Sequence, residues 1–109
     1  MSADKLEISV QEYQALSAAG ASDLVLLDCR EPDEWALSRL AGAVCISMRE
    51  IPARLAELDP ARELIVMCHH GRRSYRVTLF LAQQGYRARS LAGGIDAWSR
   101  EIDPTVPRY

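Results

Sequence analysis

Cysteine is scarce in this chain: three residues in 109, an odd count that excludes the disulfide framework of a small secreted domain. Long hydrophobic runs are missing too. No segment reaches the roughly 20 apolar residues that span a bilayer, and Met1-Ser2-Ala3-Asp4-Lys5 lacks the apolar core of a signal peptide. Neither sign of charge dominates, with 13 Lys and Arg against 15 Asp and Glu and a formal net charge of −2. That balance gives no bulk attraction to nucleic acid or to a membrane, so any positive field must be local. Internal repeats, linkers and low-complexity stretches are lacking as well. What remains leads us to expect a cytoplasmic single domain over residues 1–109, with its core at about 8–100 and an irregular surface tail at 103–109.

An apolar fraction of 49% suffices for a core without metal or disulfide staples. Ser9-Val10-Gln11-Glu12 has the capping-box pattern, and Val10, Tyr13 and Leu16 then share one helical face before Gly20. Leu24-Val25-Leu26-Leu27 is a continuous apolar run of the kind found in strands buried on both faces. A short helix is expected from Pro32 with Trp35 facing inward, then a strand at Ala43-Val44-Cys45-Ile46. Pro52 is expected to open a helix in which Ile51, Leu55 and Leu58 share a face. Leu64 to Met67 reads as a strand, Ser74 to Gln84 as a helix, Ala88 to Leu91 as a weak strand, and Gly93-Gly94 as a turn into a helix with Ile95 and Trp98. Strands and helices alternate, which predicts an α/β fold with a mostly parallel central sheet and helices on both faces.

The densest chemistry lies at Met67-Cys68-His69-His70-Gly71-Arg72-Arg73-Ser74. A thiol at the exit of a buried strand, followed by a tight loop and a helix N-terminus, sits where α/β proteins hold anions. Loop amides, two arginines and two histidines favour the nucleophilic thiolate of Cys68. A metal site at Cys68, His69 and His70 lacks a fourth ligand at zinc-like spacing, and neither metal nor cofactor is expected. Cys29 reads as a small buried hydrophobe. Cys45 is a candidate resolving thiol for Cys68, on the condition that two strand positions come within disulfide reach.

Four segments in order resemble the rhodanese-like sulfurtransferase family in its single-domain form. They are Leu26-Leu27-Asp28-Cys29-Arg30-Glu31-Pro32-Asp33-Glu34-Trp35, Leu40-Ala41-Gly42-Ala43, Cys68-His69-His70-Gly71-Arg72-Arg73-Ser74 and Leu91-Ala92-Gly93-Gly94-Ile95-Asp96-Ala97-Trp98. The resemblance runs from about Val10 to Trp98 and implies the family's three-layer fold. It implies that Cys68 takes a sulfane sulfur from a small anionic donor such as thiosulfate, becomes a persulfide, and yields the sulfur to cyanide, a thiol or a protein acceptor. His69, His70, Gly71, Arg72, Arg73 and Ser74 would bind the donor, with Arg73 the loop arginine and Arg72 steering. Asp28 and Arg30 would hold the fold near the site through an ion pair.

There are departures. Ser38 and Arg39 stand where the family often has a glycine-histidine pair, and Cys45 and Ser47 replace a frequent asparagine and proline. Relatives of this fold that act as phosphatases or arsenate reductases place an arginine after five intervening residues. Here Arg73 follows Cys68 after four, so the cradle is narrower. A third reading is a sulfur-carrying or regulatory binding module.

Overall fold

Five strands carry the architecture, and their lengths follow the apolar runs. The structure, a computed structural model, describes residues 5–21 and 23–109; Met1 to Asp4, part of the leader argument above, lie outside them. The strands are β1 (Glu7–Ile8), β2 (Leu24–Asp28), β3 (Val44–Cys45), β4 (Glu63–Met67) and β5 (Arg87–Leu91). They form one sheet in the order β1-β5-β4-β2-β3, and every ladder is parallel. The longer strands β2, β4 and β5 sit inside, and strands of two residues close both edges, which limits pairing with another chain.

Both faces of the sheet are covered. Leu27, Leu64 and Val66 point to one side with Val77 and Leu81 of helix α3 (Arg72–Gln83) and Ile51 of a 3₁₀ helix (Met48–Glu57). Leu26, Ile65 and Met67 point to the other, against Val10 of helix α1 (Val10–Ala18) and Ile95 and Ala97 of helix α4 (Gly94–Glu101). Helix α2 (Pro32–Leu37) lies between β2 and β3 in sequence and buries none of its residues fully. Each element has a local cause. At α1 the Glu12 amide donates to Ser9 Oγ at 3.0 Å and the Ser9 amide to Glu12 Oε1 at 3.1 Å, completing the capping box. No helix among the described residues is long and apolar enough to cross a membrane.

Some expectations are corrected. The segment expected to begin at Pro52 is a 3₁₀ helix that starts at Met48, carries Pro52 inside it and kinks at Arg54. Proline lacks an amide hydrogen and does not continue an α-helical ladder, and the tighter 3₁₀ turns run only in short pieces, broken here at Arg54. Helix α3 begins two residues earlier than Ser74, because Gly71 at φ 105° makes the turn. β1 passes unseen in the sequence, since two residues carry no periodicity. Cys45 lies on β3, with β2 between it and β4, so about 9–10 Å of sheet separates it from the Cys68 strand. It is also in register with Asp28 and Met67, which face opposite to Cys68. That is outside disulfide reach.

Candidate active site

The loops that follow β2, β4 and β5 meet at the carboxyl edge of the sheet, where a parallel α/β fold presents its ligand crevice. Cys68 is the first residue after β4 and is 1% exposed. Its carbonyl accepts from the Ile95 amide at 2.9 Å, and the His69 carbonyl accepts from the Asp96 amide at 3.1 Å. The N-terminus of α4 therefore clamps the backbone of the loop, and Gly94 (φ 61°) lies directly against those two carbonyls.

The Cys68 sulfur is held from the other side by α3. The Gly71 amide donates to Sγ at 3.1 Å and the Ser74 amide donates at 3.3 Å. These amides belong to the start of a 12-residue helix, whose partial positive charge adds to them. The thiol also lies 3.3 Å from Ser74 Oγ, and Ser74 Oγ lies 2.7 Å from Ser90 Oγ, all three residues being buried. When the thiol carries its proton it donates to Ser74. When it has lost it, the two hydroxyls can reverse, Ser90 donating to Ser74 and Ser74 to sulfur. The arrangement accommodates either protonation state.

The charged side chains form a second tier. Arg73 makes a two-pronged contact with Glu34, at 2.6 and 2.9 Å. Glu34 also accepts from the Tyr109 hydroxyl at 2.6 Å, and that hydroxyl accepts from Arg30 at 2.8 Å. Arg30 is wholly buried and reaches Asp28 at 2.8 Å and the Ser38 carbonyl at 2.6 Å. The Arg73 guanidinium holds the Glu34 carboxyl down at about 2, with Tyr109 adding to it. Burial and the hydrogen bond to Glu34 push the Tyr109 phenol up to about 12. The Tyr109 ring stacks on His69 at 3.9 Å and 8°, and His69 stacks on His70 at 3.9 Å. Burial first, then the neighbouring His70, lowers the His69 imidazole below its ordinary value.

Thus Cys68, Gly71 and Ser74 converge on one sulfur. Arg73 turns away to α2, Arg72 stays exposed beside Tyr75 and Arg76, and His70 is exposed at the rim. Asp28 and Arg30 form the buried ion pair expected of them. His69, His70 and Asp96 bring ligand atoms within 4.8 Å of one another. However, Asp96 is already paired with Arg100 and Arg108, and those two positive charges oppose a cation there. Sequence reasoning missed Ser90, Glu34, Tyr109 and the clamping role of Gly94. A lone serine inside β5 was the available signal for the first. The tail at 103–109, expected on the surface, buries Val106, and Tyr109 joins the site.

Residues 9–101 match the profile of the rhodanese-like domain. The chain belongs to the rhodanese-like family. Among its relatives is a sulfurtransferase of Allochromatium vinosum, 39% identical over 89 residues, which cover 81% of this chain and 83% of that protein. Another is the putative sulfurtransferase YtwF of Bacillus subtilis, 37% identical over 82 residues covering 75% of this chain and 80% of the relative. The rhodanese-related protein of Thermoplasma volcanium superposes with a TM-score of 0.82 at 28% identity, over 94% of this chain and 98% of that one. A rhodanese-like domain thus accounts for both the sheet order and the cysteine loop described above.

Proposed function

We propose that this protein is a sulfurtransferase in which Cys68 is the nucleophile. The observation that carries the reading is the sulfur itself, fixed at a helix N-terminus by the amides of Gly71 and Ser74. Those donors stabilise a thiolate and leave its remaining lone pairs for attack. Cys68 Sγ attacks the outer sulfur of a donor such as thiosulfate. The donor's S–S bond breaks, sulfite leaves with the bonding pair, and Cys68 carries a persulfide. A cyanide, a small thiol or a protein acceptor then attacks the terminal sulfur, and the Cys68 thiolate is regenerated.

The dianionic donor needs positive surroundings that strengthen as sulfite departs. The remaining amides of the loop from His69 to Arg73, with exposed Arg72 and His70, supply them at the rim. Arg73 acts through Glu34, holding α2 against the loop rather than offering a free guanidinium. That engagement also argues against the phosphatase alternative, which requires an arginine turned into the cradle. The site needs no metal or cofactor for this chemistry. The sulfurtransferase relatives support the same reading, and a cytoplasmic setting suits a free thiol.

Intact mass before and after thiosulfate, on the wild type and on Cys68→Ser, tests it. The expected result is the gain of one sulfur atom that needs Cys68. A folded wild type with a free Cys68 thiol and no gain overturns thiosulfate as donor, and gain in Cys68→Ser overturns the nucleophile.

A further inference from the structure

The sheet brings a second thiol beside Cys68. In the β2–β4 ladder Leu27 is opposite Val66 and Asp28 is opposite Met67. The ladder continues one step further, for the Cys29 amide donates to the Met67 carbonyl at 3.0 Å. Cys29 and Cys68 are therefore the next opposed pair, on neighbouring strands about 4.8 Å apart. Alternation along both strands sends them to the same face. Leu27, Cys29, Val66 and Cys68 all belong to one buried cluster, while Leu26 and Met67 belong to the other. The spacing of adjacent strands falls within the Cα separations that disulfides bridge. Cys29 is fully buried, and the mechanism of sulfur transfer makes no use of it.

We propose that Cys29 is a resolving thiol, closing a Cys29–Cys68 disulfide when a hydroperoxide oxidises Cys68. The inference rests on reading Cys68 as the reactive thiol. In the first step the Cys68 thiolate attacks the peroxide, the O–O bond breaks, and Cys68 becomes a sulfenic acid as an alkoxide or hydroxide leaves and takes a proton from solvent. In the second, Cys29 sulfur attacks Cys68 sulfur, the S–O bond breaks, and hydroxide departs with the Cys29 proton as water. The two thiols supply both electrons, and the peroxide is the oxidant. Burial, with ionised Cys68 next, pushes the Cys29 thiol up. Cys29 thus stays protonated and idle during turnover, and its own proton serves the leaving hydroxide. The disulfide removes the nucleophile from its amides and shields it from irreversible sulfinic acid. An external dithiol restores it.

The experiment treats the reduced wild type, Cys29→Ala, Cys29→Ser and Cys45→Ser with a several-fold molar excess of hydrogen peroxide, since a second peroxide is needed to carry a sulfenic acid to the sulfinic acid. Remaining thiols are blocked with iodoacetamide, followed by intact mass and a non-reducing peptide map. The wild type and Cys45→Ser are expected to give a Cys29–Cys68 crosslinked peptide, with sulfur uptake from thiosulfate lost and then recovered under dithiothreitol. Both Cys29 variants, shown folded by thermal unfolding, are expected to accumulate Cys68 sulfinic acid and not to recover. Sulfinic acid on wild-type Cys68 without the crosslink overturns the proposal, as does a crosslink to Cys45 or a Cys68 that peroxide leaves untouched. Sulfur uptake by the untreated wild type is read separately. Its presence keeps the transferase reading when the crosslink fails, and its absence beside a formed crosslink removes that reading alone.

Discussion

Replacing Gly94 with alanine strikes the point where α4 clamps the cysteine loop. A Cβ there falls 2.4 Å from both the Cys68 and His69 carbonyl oxygens, about 0.6 Å inside the 3.0 Å that real Cβ atoms respect. Both obstacles are backbone, so neither can swing aside as a side chain would. The φ of 61° adds the left-handed penalty of roughly 1–2 kcal/mol for an alanine. Moving the loop away weakens the bonds from the Ile95 and Asp96 amides, at about 1 kcal/mol each. The sum is roughly 3 kcal/mol, a fall in Tm of about 10 °C or more for a domain of this size. A displacement of about half an ångström at the nucleophile should slow persulfide formation at least ~10-fold, since ~1 Å misplacements cost ~100-fold. Gly20→Ala is the control, because Gly20 has a similar φ of 78° with nothing within 4 Å of the added Cβ. It should show the conformational penalty alone and transfer sulfur at the wild-type rate. Thermal unfolding and quenched mass kinetics with thiosulfate read both effects. Equal destabilisation at the two glycines, or a Gly94→Ala rate within about twofold of wild type, refutes the reasoning.

Two further outcomes follow from the tier around the thiol. The Glu34 carboxyl is lowered from 4.5 to about 2 by its Arg73 partner, so its stabilisation is full above about pH 4.5 and is lost as pH falls toward 2. Glu34→Gln should therefore lower Tm at pH 7 and flatten its decline between those values; an acid limb parallel to wild type counts against the ion pair. Ser90→Ala leaves Ser74 Oγ with the sulfur as its side-chain partner, and removing a net ~1 kcal/mol hydrogen bond should slow sulfur uptake about fivefold. Uptake unchanged in a stable Ser90→Ala protein shows that the hydroxyl pair does not assist the thiol.

The sequence was legible where local chemistry and periodicity agreed. Ser9 and Glu12 announced α1, the run Leu64 to Met67 announced β4, and the position of Cys68 between a strand and a helix announced a thiol at a helix N-terminus. The buried Asp28–Arg30 pair came from the family resemblance and not from local chemistry, since two residues two apart on a strand exit carry no spacing rule of their own. What escaped depended on contacts distant in sequence. Glu34 meets Arg73 across 39 positions, and Tyr109 meets Arg30 across 79, so no spacing rule connects them. Cys29 was read as filler and Cys45 as a candidate resolving thiol for Cys68. Strand order places Cys29, and not Cys45, beside Cys68, and order is a tertiary fact that the chain's linear sequence conceals. Gly94 looked like a turn because the carbonyls pressed against it come from another loop.

The pairing of β1 with β5 has a kinetic side. Ile8 and Leu91 stand opposite each other although most of the chain lies between them, so this ladder has the longest sequence separation in the sheet. Its backbone bonds include those from the Ser90 amide to the Leu6 carbonyl at 2.7 Å and from the Ala92 amide to the Ile8 carbonyl at 2.8 Å. Such a strand docks late in folding and opens early, and its amides exchange with solvent by local opening while those of β2 and β4 wait for global unfolding. Ser90 takes part in both worlds. Its amide holds β1 and its hydroxyl holds Ser74 beneath the sulfur. The first strand and the seat of the nucleophile thus share one residue of β5.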